Sequence, residues 1–138
     1  MCMVDDSDGS VEILSFLTPK ARKPHKCKEC WRVIDPGEAY NVTVYAFDGK
    51  ITKHKTCAHC MVVRSWLEDE CGGFLYGGVE EDAGDHCGEG LYGMDLFRAV
   101  VGMQWKWRTK AGRLLPVPAP IKTSHQVQRM REARGDGN

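Results

Sequence analysis

Two Cys-x-x-Cys pairs, Cys27/Cys30 and Cys57/Cys60, are separated by 26 residues and constrain this chain more than any other feature. A tight knuckle turns both of its thiolates to one side, so one pair supplies half of a tetrahedral shell and a second pair closes it. The spacing predicts one structural zinc ion on Cys27, Cys30, Cys57 and Cys60. A closed four-thiolate shell leaves no position for water or substrate, so such a metal holds a fold together and performs no chemistry. The chain has 138 residues, 42% of them hydrophobic, which allows one modest core that a metal would help to staple.

Seven cysteines in a chain read as cytosolic favour metal over disulfides. The acidic start, Asp5, Asp6 and Asp8, is unlike a secretory leader, and no apolar run is long enough to span a membrane. Cys71, His86 and Cys87 offer three ligands for a second metal, and a fourth would have to come from Cys2 or His125, so a second site is not expected. Cys71 reads instead as a small buried apolar residue. His25, His54 and His59 flank the zinc ligands and read as supporting or surface groups, because four thiolates suffice. Trp31 follows the first knuckle and is expected to pack over it.

The element order follows from local signals. Residues 1–10 are expected to be disordered, and residues 11–17 read as a short strand ended by Thr18-Pro19. Residues 40–45 are rich in β-branched and aromatic side chains, and Asp48-Gly49 turns them back into a second strand, residues 50–54. Residues 57–70 read as a helix with Met61, Val62, Trp66 and Leu67 on its apolar stripe and Arg64, Glu68 and Asp69 off it; Gly72-Gly73 ends it. Residues 74–78 read as a short extended piece and residues 79–86 as an acidic helical turn or two. Residues 91–107 read as a helix carrying Leu96, Phe97, Val100, Val101, Met103 and Trp107. The run Pro116-Val117-Pro118-Ala119-Pro120 is extended. Ser124 caps a last, weakly apolar helix, expected to be mobile or to order on a partner.

The resulting class is α+β: knuckle, β-hairpin, helix, then a C-terminal helical extension. The expected organisation is an acidic start over 1–10, a four-cysteine zinc module over 11–80, a helical extension over 81–115, and a proline-rich linker and tail over 116–138. This order resembles the treble-clef zinc fingers. Cys27-x-x-Cys30 with Ile34, Pro36-Gly37-Glu38 and the later Lys53-His54-Lys55-x-Cys57-x-x-Cys60 are similar to LIM and poly(ADP-ribose) polymerase-type fingers. The opening Arg22-Lys23-Pro24-His25, the Asp48-Gly49 hairpin and the stretch Gly72–Gly78 resemble small phage and prophage zinc-binding proteins of unassigned function. The resemblance covers roughly residues 20–80 and implies a fold, a zinc ion and a viral setting, including a host cytoplasm as location. It implies no activity.

Formal net charge is zero, which weighs against a dedicated nucleic-acid binder, yet the charge is segregated. Residues 65–97 carry nine acids and no Lys or Arg, whereas residues 98–138 carry nine bases and two acids. The closed metal shell and the acidic middle predict a non-enzymatic interaction module that acts on a protein or nucleoprotein partner. Its candidate surfaces are residues 68–89 and 105–120. The alternative is direct DNA or RNA binding through Lys20, Arg22, Lys23, Lys26, Lys28 and Arg32 together with Trp105, Lys106, Arg108, Lys110 and Arg113, where cations would meet phosphates and an exposed indole would stack on a base. Trp105 and Trp107 cannot share one helix stripe, so one of them belongs to the core. A treble-clef nuclease would need a histidine base and a second catalytic group near His54, Asp48 and His59, and no such pattern follows Cys60.

Overall fold

The computed structural model describes residues 11–87 and 93–135. Strand β1 (Glu12–Leu17) pairs antiparallel with β4 (Tyr40–Phe47), which pairs antiparallel with β5 (Lys50–Cys57), giving a three-stranded sheet of order β1-β4-β5. Asp48 and Gly49 form the β4–β5 turn, both with positive φ (54° and 76°), as that two-residue connection demands. Two short strands, β2 (His25–Lys26) and β3 (Val33–Ile34), flank the first cysteine pair as a separate two-stranded ribbon. Four helices follow among the described residues: α1 (Ala58–Cys71), α2 (Val79–His86), α3 (Gly93–Gln104) and α4 (Ser124–Gly135). The first ten residues, Cys2 and Leu91 lie outside the described residues.

Alternation along β4 and β5 divides the sheet into two faces. Asn41, Thr43, Thr56 and His54 are buried on the face toward α1, while Lys53 and Lys55 project with Val44 and Val42 on the other. On its buried side α1 carries Val63, Trp66 and Leu67. These join Leu96, Val100 and Met103 of α3 and Val79 and Ala83 of α2 in one continuous cluster that also contains the four paired cysteines. The helical extension therefore shares the core of the cysteine module.

Several local expectations need correction. Arg64 is buried despite its place off the predicted stripe. Its guanidinium lies over Phe74 (4.2 Å) and Tyr76 (5.3 Å) and donates to Asn41 Oδ1. Burial pulls its pKa down, and the rings together with Glu68 at 3.7 Å compensate the charge. Residues 74–78 turn back instead of extending, which stacks Tyr76 on Tyr45 at 4.0 Å. Helix α3 ends at Gln104, and Trp107 lies beyond it: Trp107 N donates to Gly102 O (2.7 Å) and Lys106 N to Met103 O (3.0 Å). That pair of bonds is a Schellman closure, formed here with left-handed Lys106 and Trp107 (φ 57° and 59°) in place of glycine. The proline run then lies back on α1, where Ile121 is buried and Trp66 Nε1 donates to the Lys122 carbonyl (3.0 Å).

Candidate metal centre

Each cysteine is placed by a different piece of backbone. Cys27 and Cys30 sit in the turn between β2 and β3, closed by Trp31 N donating to Cys27 O at 3.0 Å. Trp31 takes the left-handed position of this knuckle (φ 66°), a conformation that costs a residue with Cβ roughly 1–2 kcal/mol. The residue is left 51% exposed, beside Lys28 of the same knuckle (5.2 Å from ammonium to ring centroid). Cys57 ends β5 and caps α1, its sulfur accepting from Cys60 N at 3.4 Å; Cys60 lies in the first turn. Both thiolates of the second pair thus meet the positive end of a helix.

The four sulfurs lie within 4.8 Å of one another and all four residues are buried. The Cys30–Cys57 sulfur separation is 3.9 Å. Sulfurs on a tetrahedral zinc at about 2.3 Å stand about 3.8 Å apart, so the frame fits a metal ion of that size. The sulfurs also receive backbone donors: Glu29 N (3.4 Å) and Cys57 N (3.3 Å) both donate to Cys27 Sγ. Packed this closely, the thiols cannot all ionise without a cation. Hydrogen bonds accepted from Cys27, Cys30 and Cys60 push Cys57 far down, while donating to Cys27, Cys30 and Cys57 holds the proton on Cys60 and drives it far up. A bound divalent ion removes that conflict by coordinating all four as thiolates.

Three supporting contacts were invisible to spacing arguments. The first is Trp107, which is buried and donates its indole N–H to Cys60 Sγ at 3.3 Å. A Cβ on Gly102 would stand 2.3 Å from the Trp107 ring, so only glycine at that helix position lets the indole reach the sulfur. The second is Glu29, inside the knuckle. Its buried carboxylate accepts from His54 Nε2 (2.8 Å), Gly77 N (2.9 Å) and Val79 N (3.2 Å). It thereby caps α2 from a distance, a helix whose own Gly78 supplies no side-chain cap. The third is a chain through Arg32. Its guanidinium makes a bidentate pair with Glu38 (2.7 and 3.0 Å) and donates to His59 Nδ1 (3.2 Å). Because a guanidinium can only donate, His59 keeps its proton on Nε2 and donates it to the Leu115 carbonyl at 2.6 Å. Burial disfavours the Arg32 charge, but Glu38 and the Cys57 thiolate raise its pKa on balance.

No histidine competes for the metal, and among the described residues the four cysteines form the one His/Cys/Asp/Glu group close enough to hold an ion. His25 stacks on Tyr40 at 4.7 Å and accepts from Lys55 Nζ (3.1 Å) on Nδ1. Cys71 is disulfide-bonded and so is neither a thiolate ligand nor the simple apolar residue expected. His86 lies 3.8 Å from its sulfur, Cys87 Sγ donates to Ala83 O at 3.7 Å, and His125 is exposed on α4.

The basic candidates divide. Lys20, Arg22, Lys23, Lys26, Lys106, Lys110 and Arg113 are exposed, Trp105 is 65% exposed, and Lys28 and Arg108 are half-buried. Arg32 is withdrawn from any phosphate face by its burial and its pairing with Glu38. In the acidic run, Asp82 is buried, and Glu70 accepts from Ser124 N and Oγ (2.8 and 2.7 Å), which fastens the start of α4. No known protein family, curated protein or solved structure matches the chain. No helix among the described residues is long and apolar enough to cross a membrane.

Proposed function

We propose that this chain is a non-enzymatic module of the treble-clef type, of the kind small phage proteins carry, which holds one structural zinc and acts on a host protein or nucleoprotein. The observation that carries the reading is the closure of the metal shell. Four buried sulfurs are enclosed by backbone N–H groups, the Trp107 indole and the shared core, which leaves a bound ion with no open position. Ligands from a knuckle and from the first turn of a helix after a hairpin support the treble-clef assignment. His54 and His59 are both engaged in buried hydrogen bonds, with Glu29 and Arg32 respectively, which supports a holding role over a catalytic one.

A second reading, direct DNA or RNA binding, is favoured by one contact. Arg108 pairs with Asp35 at 3.1 Å, and Ala21 hydrogen-bonds to Gly37 and Glu38 of the same turn. The two basic segments, far apart in sequence, therefore abut one turn.

The test exposes immobilised, zinc-loaded protein to host extract with and without nuclease, and separately to labelled DNA and RNA with magnesium. The reading expects a partner retained after nuclease treatment and lost with the Cys57→Ser variant, and uncut oligonucleotides. Cleavage that follows the zinc-loaded protein through purification would overturn it.

A further inference from the structure

The outer face of the sheet and the first knuckle form one basic surface that neither sequence segment revealed alone. Lys53 and Lys55 are two residues apart on β5 and share the face away from α1, opposite Val44 and Val42 of β4. Lys28 of the knuckle is held beside them, because its backbone N–H donates to the Lys55 carbonyl at 2.8 Å. Lys23 is close enough to Lys55 to repel it, as are Lys53 and Lys28. No ion pair among the described residues includes any of these four lysines. The thiolate cluster has its own donors in backbone N–H groups and the Trp107 indole, with buried Arg32 nearby. Four like charges gathered with no ion-pair partner among the described residues are a standing electrostatic cost that a polyanion would relieve.

The same surface carries a ring. Trp31 is half exposed, and the Lys28 ammonium lies 5.2 Å from its ring centroid. The left-handed backbone at Trp31 turns the indole away from the core and toward solvent. An exposed aromatic plane with a cation beside it accepts a base and the phosphate attached to it.

Resting on the second reading above, we propose that Trp31 with Lys23, Lys28, Lys53 and Lys55 is a binding site for single-stranded nucleic acid. The lysines neutralise successive phosphates and Trp31 stacks on an unpaired base. A duplex keeps its bases stacked on one another and cannot use the indole, so the site prefers single strands.

The experiment measures anisotropy of labelled oligo(dT) and of a duplex of equal length with full-length, zinc-loaded protein over a salt series. Wild type should bind oligo(dT) more tightly than duplex, with affinity falling steeply as salt rises. Lys53→Glu and Lys23→Glu change exposed side chains outside the core, and each should flatten the slope of log affinity against log salt by about 0.7. Trp31→Gly suits the left-handed backbone, so it keeps the fold while removing the ring; it should lose oligo(dT) affinity about tenfold and leave duplex affinity unchanged. Zinc content and melting temperature of each variant establish that it is folded. Equal or tighter binding of duplex, or a Trp31→Gly variant that binds oligo(dT) like wild type, overturns the proposal. Absence of salt-dependent oligo(dT) binding overturns it too; a nuclease-resistant partner captured from host extract would then leave the protein-binding reading standing.

Discussion

Replacing Gly102 with alanine tests the link between the helical extension and the metal centre. Gly102 lies inside α3 with ordinary helical backbone, so helix propensity alone predicts that alanine stabilises by about 0.5–1 kcal/mol. The structure predicts the opposite sign. The new Cβ would stand 2.3 and 2.5 Å from two carbons of the Trp107 ring. The indole is buried, so it must move against packed neighbours, an overpacking cost of about 1–3 kcal/mol. Movement also takes its N–H from Cys60 Sγ, and a buried donor left without a partner costs about 1–3 kcal/mol more. Set against the helix gain, the net loss is about 1–5.5 kcal/mol, or roughly 3–19 °C in melting temperature for a domain of this size. Melting of the zinc-loaded protein followed by circular dichroism reads the first quantity, and competition with a chromophoric chelator reads the weakened metal site. In a Trp107→Ala background the clash vanishes, and Gly102→Ala should then stabilise as helix propensity says. A single Gly102→Ala variant that melts at or above wild type with unchanged zinc affinity would refute the reasoning.

Chelation of the metal, or Cys57→Ser, should unfold the module at moderate temperature, because binding energy at such a site is folding energy; elemental analysis with a melt checks this. Glu29→Gln should cost about 3–5 kcal/mol by breaking a buried charged network at the start of α2, measured by urea unfolding. Glu38 supplies a pH dependence. Burial raises its carboxyl pKa, but hydrogen bonds from Arg32 and the Asp35 N–H outweigh burial and hold it below its ordinary value of 4.5. Its folded-state pKa is depressed, so its contribution is complete above pH 4.5 and disappears as pH falls through the lower folded value. Glu38→Gln should therefore flatten the acid side of a plot of melting temperature against pH, and an unaltered profile would show that the Arg32 pair adds nothing.

The four-cysteine cluster was legible because its chemistry is local. Two thiolates three residues apart face the same way in a knuckle or in a first helical turn, whatever the rest of the chain does. The β4–β5 hairpin was legible for the same reason: Asp48-Gly49 accepts positive φ, and its flanks are β-branched. Arg64 was misplaced because period alone assigns a charged residue to solvent. What buries it is a set of partners drawn from three distant segments: Asn41 on β4, Phe74 and Tyr76 after α1, and Phe16 on β1, whose ring lies 5.8 Å away. The half exposure of Trp31 was not legible, because it follows from the left-handed backbone of the knuckle and not from hydrophobicity.

By itself the sequence determined the cysteine pairs, the three strands of the main sheet and the run of helices after them, and the segregation of charge, since each depends on residues near one another along the chain; the β2–β3 ribbon was not among its readings. Tertiary structure alone decided what surrounds the site. Trp107 lies 47 residues beyond the Cys60 sulfur it serves, Glu29 caps a helix 50 residues away, and His59 reaches a carbonyl 56 residues downstream. Gly102 looked like a weak point in a helix until the ring it admits was in place. Spacing rules carry no information about contacts of that range, because only packing of the whole core brings their two halves together.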